Sequence, residues 1–185
     1  MRFYLPFNEE KATQVAGALL NKAGGAMAYL KLIKLLYYVD REALLQWGRP
    51  VTTDSLVSMP HGPVVSRIYD LISVGPPEEG QGSPSAWHRH ITRSGQYDVT
   101  LSAVTSDDEL SIAENGVISQ IWDRHGKKSK WTLRDETHDL PEWQDPNGSS
   151  IPIEYEDILR AENRPSDEID AVHSELMNLA RLQSI

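Results

Sequence analysis

The chain has 185 residues, enough for one domain with a real core and short for two. It contains no cysteine, which excludes disulfides, thiolate catalysis and any Cys-ligated zinc site, and leans toward a reducing compartment. The net charge of −9 is unevenly laid out: residues 1–134 hold 14 acids against 15 bases, whereas residues 135–175 hold 13 acids against two bases, Arg160 and Arg164. A field of that sign repels phosphate backbones and attracts basic partners.

The N-terminus MRFYLPFNEEK has no long apolar run followed by a small-residue cleavage site, and no later segment reaches membrane length. The expectation is a cytoplasmic chain with no membrane partner. Residues 1–7 read as an extended arm, and Asn8 to Asn21 as a first helix capped by Asn8, with Val15, Ala16, Leu19 and Leu20 facing inward. Gly24-Gly25 then predicts a short corner between two neighbouring helices.

The second of these helices, Ala28 to Trp47, is the centre of the chain. Between Tyr29 and Val39 nine of eleven residues are apolar or aromatic, Lys31 and Lys34 being the exceptions, so neighbours are expected on several sides. Asp40 shares a face with Ile33, Tyr37, Leu44 and Trp47 and needs a partner if buried. Arg67 or His61 is the expected partner. Gly48-Arg49-Pro50 is the stop.

In MPHGPVV the order Gly62-Pro63 predicts a helix start with proline at the first position, followed by a helical face of Val64, Val65, Ile68, Leu71 and Ile72. Residues 74–85 hold six Pro or Gly in twelve and read as a surface loop. Partial alternation over residues 87–104, broken at Arg93-Ser94-Gly95-Gln96, predicts a two-stranded hairpin leaning on the helices. Ser106 with Glu109 forms the pattern of a capping box opening a helix to about His125, with Leu110, Ala113, Val117 and Ile121 on its face. Thr132 predicts a short helix ending near His138 to Leu140, and a loop EWQDPNGSS follows. The last two helices are Ile153 to Ala161 and Asp167 to Leu182, the latter capped by Ser166 and striped by Ile169, Val172, Leu176 and Leu179.

The pattern as a whole predicts a mainly α fold, a compact multi-helix domain around a central apolar helix with a small β-hairpin appendage. Residues 1–145 form the helical domain, with the hairpin at about 87–104. Residues 146–185 form an acidic C-terminal helical extension packed on the same domain.

Three stretches, KLIKLLYYVDREALLQWGRPV (Lys31 to Val51), HGPVVSRIYDLI (His61 to Ile72) and LRDETHDLPEW (Leu133 to Trp143), resemble in order and spacing the Panacea family, the SocA-like antitoxin domain once known only as a domain of unknown function. The resemblance covers about Met27 to Asp145. It implies the antitoxin of a type II toxin–antitoxin pair, which binds and neutralises its cognate toxin directly through parts outside the shared core. It also implies an alternative, an adaptor that hands the toxin to a cytoplasmic protease. Residues 146–185 lie beyond the shared pattern.

Chemistry of other kinds finds thin support. A metal-dependent hydrolase would need clustered ligands, and only His88 and His90 are close in sequence, on one face of an expected strand, with Asp98, His125 or His138 as a third ligand. Asp135 with Asp139 or Glu136 lacks the apolar enclosure that catalysis by a carboxylate pair requires. A DNA-binding autorepressor would need a basic recognition helix, and Arg67 is the one base between Val64 and Ile72. The three lysines within Lys127 to Lys130 suit a solvated turn. No enzyme, cofactor, metal site or nucleic-acid partner is expected. His61, Gly62, Pro63, Arg67, Asp40 and His138 read as structural motif residues, His138 tying the end of the domain beside Trp143. For a basic toxin the expected anchors are Trp143, Tyr155 and Ile169 or Leu176, with Glu154 and Asp157 steering the encounter; the competing reading, favoured for Ile169 and Leu176, is that all four close this chain's own core.

Overall fold

The computed structural model of the chain describes residues 5–78 and 82–183. The first four residues of the expected N-terminal arm, and residues 79–81 of the expected surface loop, lie outside that range. The fold is mainly α, with two small antiparallel sheets.

Helix α1 (Glu9–Lys22) starts where the sequence indicates: the Asn8 side chain accepts the Lys11 amide at 3.0 Å. Its apolar set, Val15, Ala16, Leu19 and Leu20, is fully buried. Gly24 and Gly25, both at positive φ, turn the chain into β1 (Ala26–Ala28), a strand with no alternation long enough to be legible. Helix α2 (Tyr29–Trp47) follows at once and ends at Gly48, whose left-handed conformation lets its amide bond the Leu44 carbonyl. Every residue from Leu32 to Arg41 is buried, so the middle of α2 has no solvent face. It packs against α1, and against elements from every later part of the chain.

The segment read as a proline-started helix is a hairpin instead: β2 (Leu56–Met59) pairs with β3 (Gly62–Val65), in register Leu56↔Val65 and Ser58↔Pro63. Two facts favour the strand. The β-branched pair Val64-Val65 packs well on a pleated surface, and β3 is an edge strand, where the missing proline N–H costs no ladder bond. Helix α3 (Ser66–Val74) therefore begins four residues after Gly62. No side chain of its own caps it; Asp54 does so from across the hairpin, accepting the amides of Arg67 and Ile68 at 2.8 and 3.0 Å.

The predicted hairpin exists as β4 (Ile91–Ser94) with β5 (Asp98–Leu101), but Trp87 to His90 belong to a short helix, α4 (Ala86–His90). Ser85 accepts the His88 amide, and Glu9 of α1 accepts that of Trp87, whose indole is buried. β1 adds to β5, so the hairpin is two strands of a three-stranded sheet, order β1-β5-β4, and no lone appendage.

Helix α5 (Ile112–His125) is opened by Ser111 with Glu114, a capping box five residues after the Ser106–Glu109 pattern. Gln14 of α1 is the reason. Its amide nitrogen donates to Ser106 Oγ and Asp108 Oδ1, and its oxygen accepts the Glu109 amide, holding 106–109 as a loop on α1. Ala113, expected on the inner face, is exposed as a consequence. Helix α6 (Lys130–His138) starts two residues before Thr132, because Ser129 rather than Thr132 is the cap.

After the loop, β6 (Ile151–Ile153) pairs with β2 to complete a second sheet, order β3-β2-β6. Helix α7 (Tyr155–Ala161) is thus shorter than expected and opens with a Glu154–Asp157 capping box. Helix α8 (Ser166–Gln183) includes Ser166 as its first residue. Its stripe faces inward: Ile169 joins the main core, Val172 lies over Gly48, and Leu176 with Ala180 packs on Leu5. None of the described helices is long and apolar enough to cross a membrane.

Candidate functional site

The three stretches that are far apart in the chain, on α2, on the β2–β3 hairpin and on α6 with its exit, meet along the buried middle of α2. Lys34 lies at the centre of the meeting. Its side chain is fully buried and its ammonium donates to the Pro63 carbonyl at 2.7 Å. Burial pulls its pKa from 10.5 down to about 7. Gly62 is required there twice over: its φ is +89°, and a Cβ would lie 2.8 Å from both Lys34 Nζ and Thr137 Oγ1.

One and two turns along α2, Tyr37 and Arg41 share one acceptor, Glu142. The tyrosine hydroxyl donates to Oε1 at 2.9 Å, and the guanidinium donates to Oε1 at 2.6 Å and Oε2 at 3.3 Å. Arg41 also reaches Glu162 beyond α7, at 2.6 Å. Burial first, and then the negative charge of Glu142, push the Tyr37 phenol well above its ordinary range. The site thus holds a neutral tyrosine beside a paired arginine and carboxylate. Sequence reasoning missed Glu142. Its signal was indirect: an arginine on a helix buried all round needs a carboxylate from elsewhere.

The hairpin turn is clamped from α6. His138 Nε2 lies 3.1 Å from the Pro60 carbonyl, and its ring packs on Trp143 with centroids 4.4 Å apart. Trp143 donates its indole N–H to Met59 O at 3.1 Å, and Ser58 Oγ accepts the Gln144 amide. His61, at the tip, is exposed.

Asp40 is buried, but neither Arg67 nor His61 is its partner. It accepts the amides of Val51 and Thr52 at 2.9 and 2.8 Å and the Thr52 hydroxyl, and so clamps the turn that leaves α2. Asp40 lies nearly two turns before the end of α2, and the chain after Gly48 folds back to reach it, while Arg67 offers its backbone amide to Asp54. Burial is the largest influence on Asp40 and raises its carboxyl to about 7 against those hydrogen bonds; Asp54 is raised to about 6 in the same way. Both carboxyls accept backbone amides of the turns around them, Asp40 from Val51 and Thr52 and Asp54 from Arg67 and Ile68.

Of the residues expected to meet a partner, Ile169 and Leu176 are buried in this chain's own core. Tyr155 is half-buried, its hydroxyl donating to the Asp54 carbonyl at 3.0 Å. Glu154 and Asp157 are half-exposed at the start of α7, where Asp157 also accepts from Arg160. Trp143 is the half-buried indole of the hairpin clamp. His88 and His90 fall on a helix, and His88 spends its ring nitrogens on Leu71 O and Ser85 Oγ. Among the described residues no group of three or more His, Asp or Glu is placed to hold a metal ion.

Comparison with known proteins gives one match, to the model of the SocA-like antitoxin Panacea domain, over residues 32–144. No curated protein and no solved structure matches. The matched range begins inside α2 and ends one residue after Trp143, so it encloses the cluster around Lys34, Tyr37, Arg41 and Glu142 but not Glu162, and the family is a non-catalytic antitoxin domain. The chain belongs to the SocA-like antitoxins with a Panacea domain, whose reported role is to oppose a toxin by protein–protein contact.

Proposed function

We propose that this chain works in the cytoplasm as one half of a two-gene pair, holding a basic toxin through its acidic C-terminal surface. The observation that carries the proposal is the division of labour along the chain. The buried polar groups of α2, Lys34, Tyr37 and Arg41, are spent on partners within the fold, whereas helix α8 sends Asp167, Asp170 and Glu175 to solvent. Such a surface steers a basic partner into place, and the half-buried Tyr155 and Trp143 supply contact area. Glu154 and Asp157 stand at the edge of that surface. Ile169 and Leu176 support it from beneath, fixing the helix that carries the charges.

Co-expression with the product of the neighbouring gene tests the reading. The expected result is relief of growth inhibition, together with a stable complex whose association rate falls as salt rises. Relief of toxicity without a complex, or a complex indifferent both to salt and to charge reversal at Asp157, Asp170 and Glu175, counts against it.

A further inference from the structure

Away from the acidic helices, the turn of the β4–β5 hairpin meets the first turn of α6 and forms a patch of the opposite character. Tyr97 and Trp131, both large aromatics, stand 54% and 53% exposed. The Lys130 ammonium lies between them, 5.3 Å from the Tyr97 ring centroid and 5.0 Å from that of Trp131, and the Arg134 guanidinium lies 5.1 Å from the Trp131 ring. Next to Tyr97, Arg93 lies 5.6 Å from the Tyr29 ring. The platform is stiff. Tyr97 O accepts the Tyr29 amide at 2.8 Å, tying the turn to the start of α2, and Ser129 caps the helix that carries Lys130, Trp131 and Arg134.

Tryptophan, tyrosine and arginine are the residues that dominate binding energy at interfaces, and half of each ring is already clear of the fold. Among the described residues neither Lys130 nor Arg93 makes an ion pair; Arg134 pairs with Asp135 at 2.6 Å. We infer that this platform docks an acidic segment of a partner protein, whose carboxylates meet Lys130 and Arg93 while an apolar side chain lies against the edges of Tyr97 and Trp131.

Charge decides the class of occupant. In a chain of net charge −9 this is a local exception, so a short acidic segment gains the contact without the repulsion that a long polyanion meets from the rest of the surface. Single-stranded nucleic acid also uses aromatic and basic platforms, but it needs open ring faces on which bases stack. Here cations already lie over those faces, and a carboxylate binds such cations where they are. The surface is separate from the acidic face of α7 and α8, and the inference stands whether or not a toxin binds there.

The test uses the full chain and, as probe, a labelled peptide of glutamates around a central phenylalanine, with the same peptide carrying glutamine for glutamate and an oligo(dT) strand as comparisons. Anisotropy gives affinity, and nuclear magnetic resonance of the indole and amide groups gives position. The acidic peptide should shift the Trp131 indole and the Tyr97 amide. Trp131→Ala and Lys130→Glu should each weaken it about tenfold, and Lys130→Gln less, with thermal midpoints unmoved. Equal affinity in all three variants, shifts located elsewhere, or tighter binding of oligo(dT) or of the glutamine peptide would overturn the inference.

Discussion

Helices α2 and α8 are nearly equal in length, 19 and 18 residues, and could hardly be used more differently. α8 is held by one stripe and keeps its acids in water, where an isolated charge costs little. The middle of α2 is enclosed, so Lys34, Asp40 and Arg41 are each matched by a group from outside the helix: Pro63, the Val51–Thr52 turn, and Glu142 with Glu162. Polar residues on α8 are exchangeable in consequence, while those on α2 specify which hairpin and which loop close over them. A buried group left without its partner costs the full desolvation penalty, and an exposed one costs almost nothing.

The sharpest way to break this contrast is Glu142→Ala, which strands Arg41 and Tyr37 together. It should cost about 4 kcal/mol in denaturant unfolding. A loss within the range of surface substitutions would show that Arg41 reaches water through Glu162 instead. Lys34 offers a pH test. Its folded pKa of about 7 is below its ordinary 10.5, so its contribution is intact above about 10.5 and is lost as pH falls through about 7. Stability of the wild type should therefore drop by up to about 5 kcal/mol over that window, while Lys34→Met should flatten the profile across it.

Gly62→Ala comes next, at about 2 kcal/mol, since it adds a strained φ to a clash with Lys34 and Thr137. Thr137→Ser leaves the clashing oxygen in place and should rescue nothing, which separates sterics from packing. Asp40→Ala should also lose about 2 kcal/mol, because two amides and a hydroxyl are orphaned in the turn after α2. Asp40→Asn keeps an acceptor and should lose less than about 1 kcal/mol. The raised Asp40 pKa favours folding below about 4, and that benefit fades as pH rises through about 7, so the asparagine variant should show a flatter acid limb. Smallest of all, Glu175→Lys on α8 should change stability by less than about 0.5 kcal/mol. A larger change would mean that α8 is not the solvent-facing member of the pair.

Much of this organisation was legible in the residues. The apolar run of α2, interrupted at Lys31 and Lys34 alone, announced burial on several sides, Asn8 and Gly48 marked helix ends, and the stripe of α8 marked a docked helix, because each signal is local to one turn of chain. The errors have a common physical origin. Pro63 is as compatible with an edge strand as with a helix start, Ser106 has the spacing of a capping box yet is held by Gln14 from α1, and three-residue strands such as β1 and β6 have too few residues to show a period. Each was decided by a group more than thirty positions away or by a partner strand.

What the sequence determined by itself, then, is the long helices, the separation of acidity into the last quarter, the absence of thiol chemistry and the family to which the three stretches point. What only the tertiary structure decided is who satisfies whom. Asp40 takes backbone amides rather than Arg67, Asp54 caps a helix from across a hairpin, Glu142 serves Tyr37 and Arg41, and Lys130 comes to rest between Tyr97 and Trp131. Helix propensity and amphipathic period act over a few residues and are written in order along the chain. Satisfying a buried charge or assembling an exposed platform depends on distances between segments, which exist only once the chain has folded.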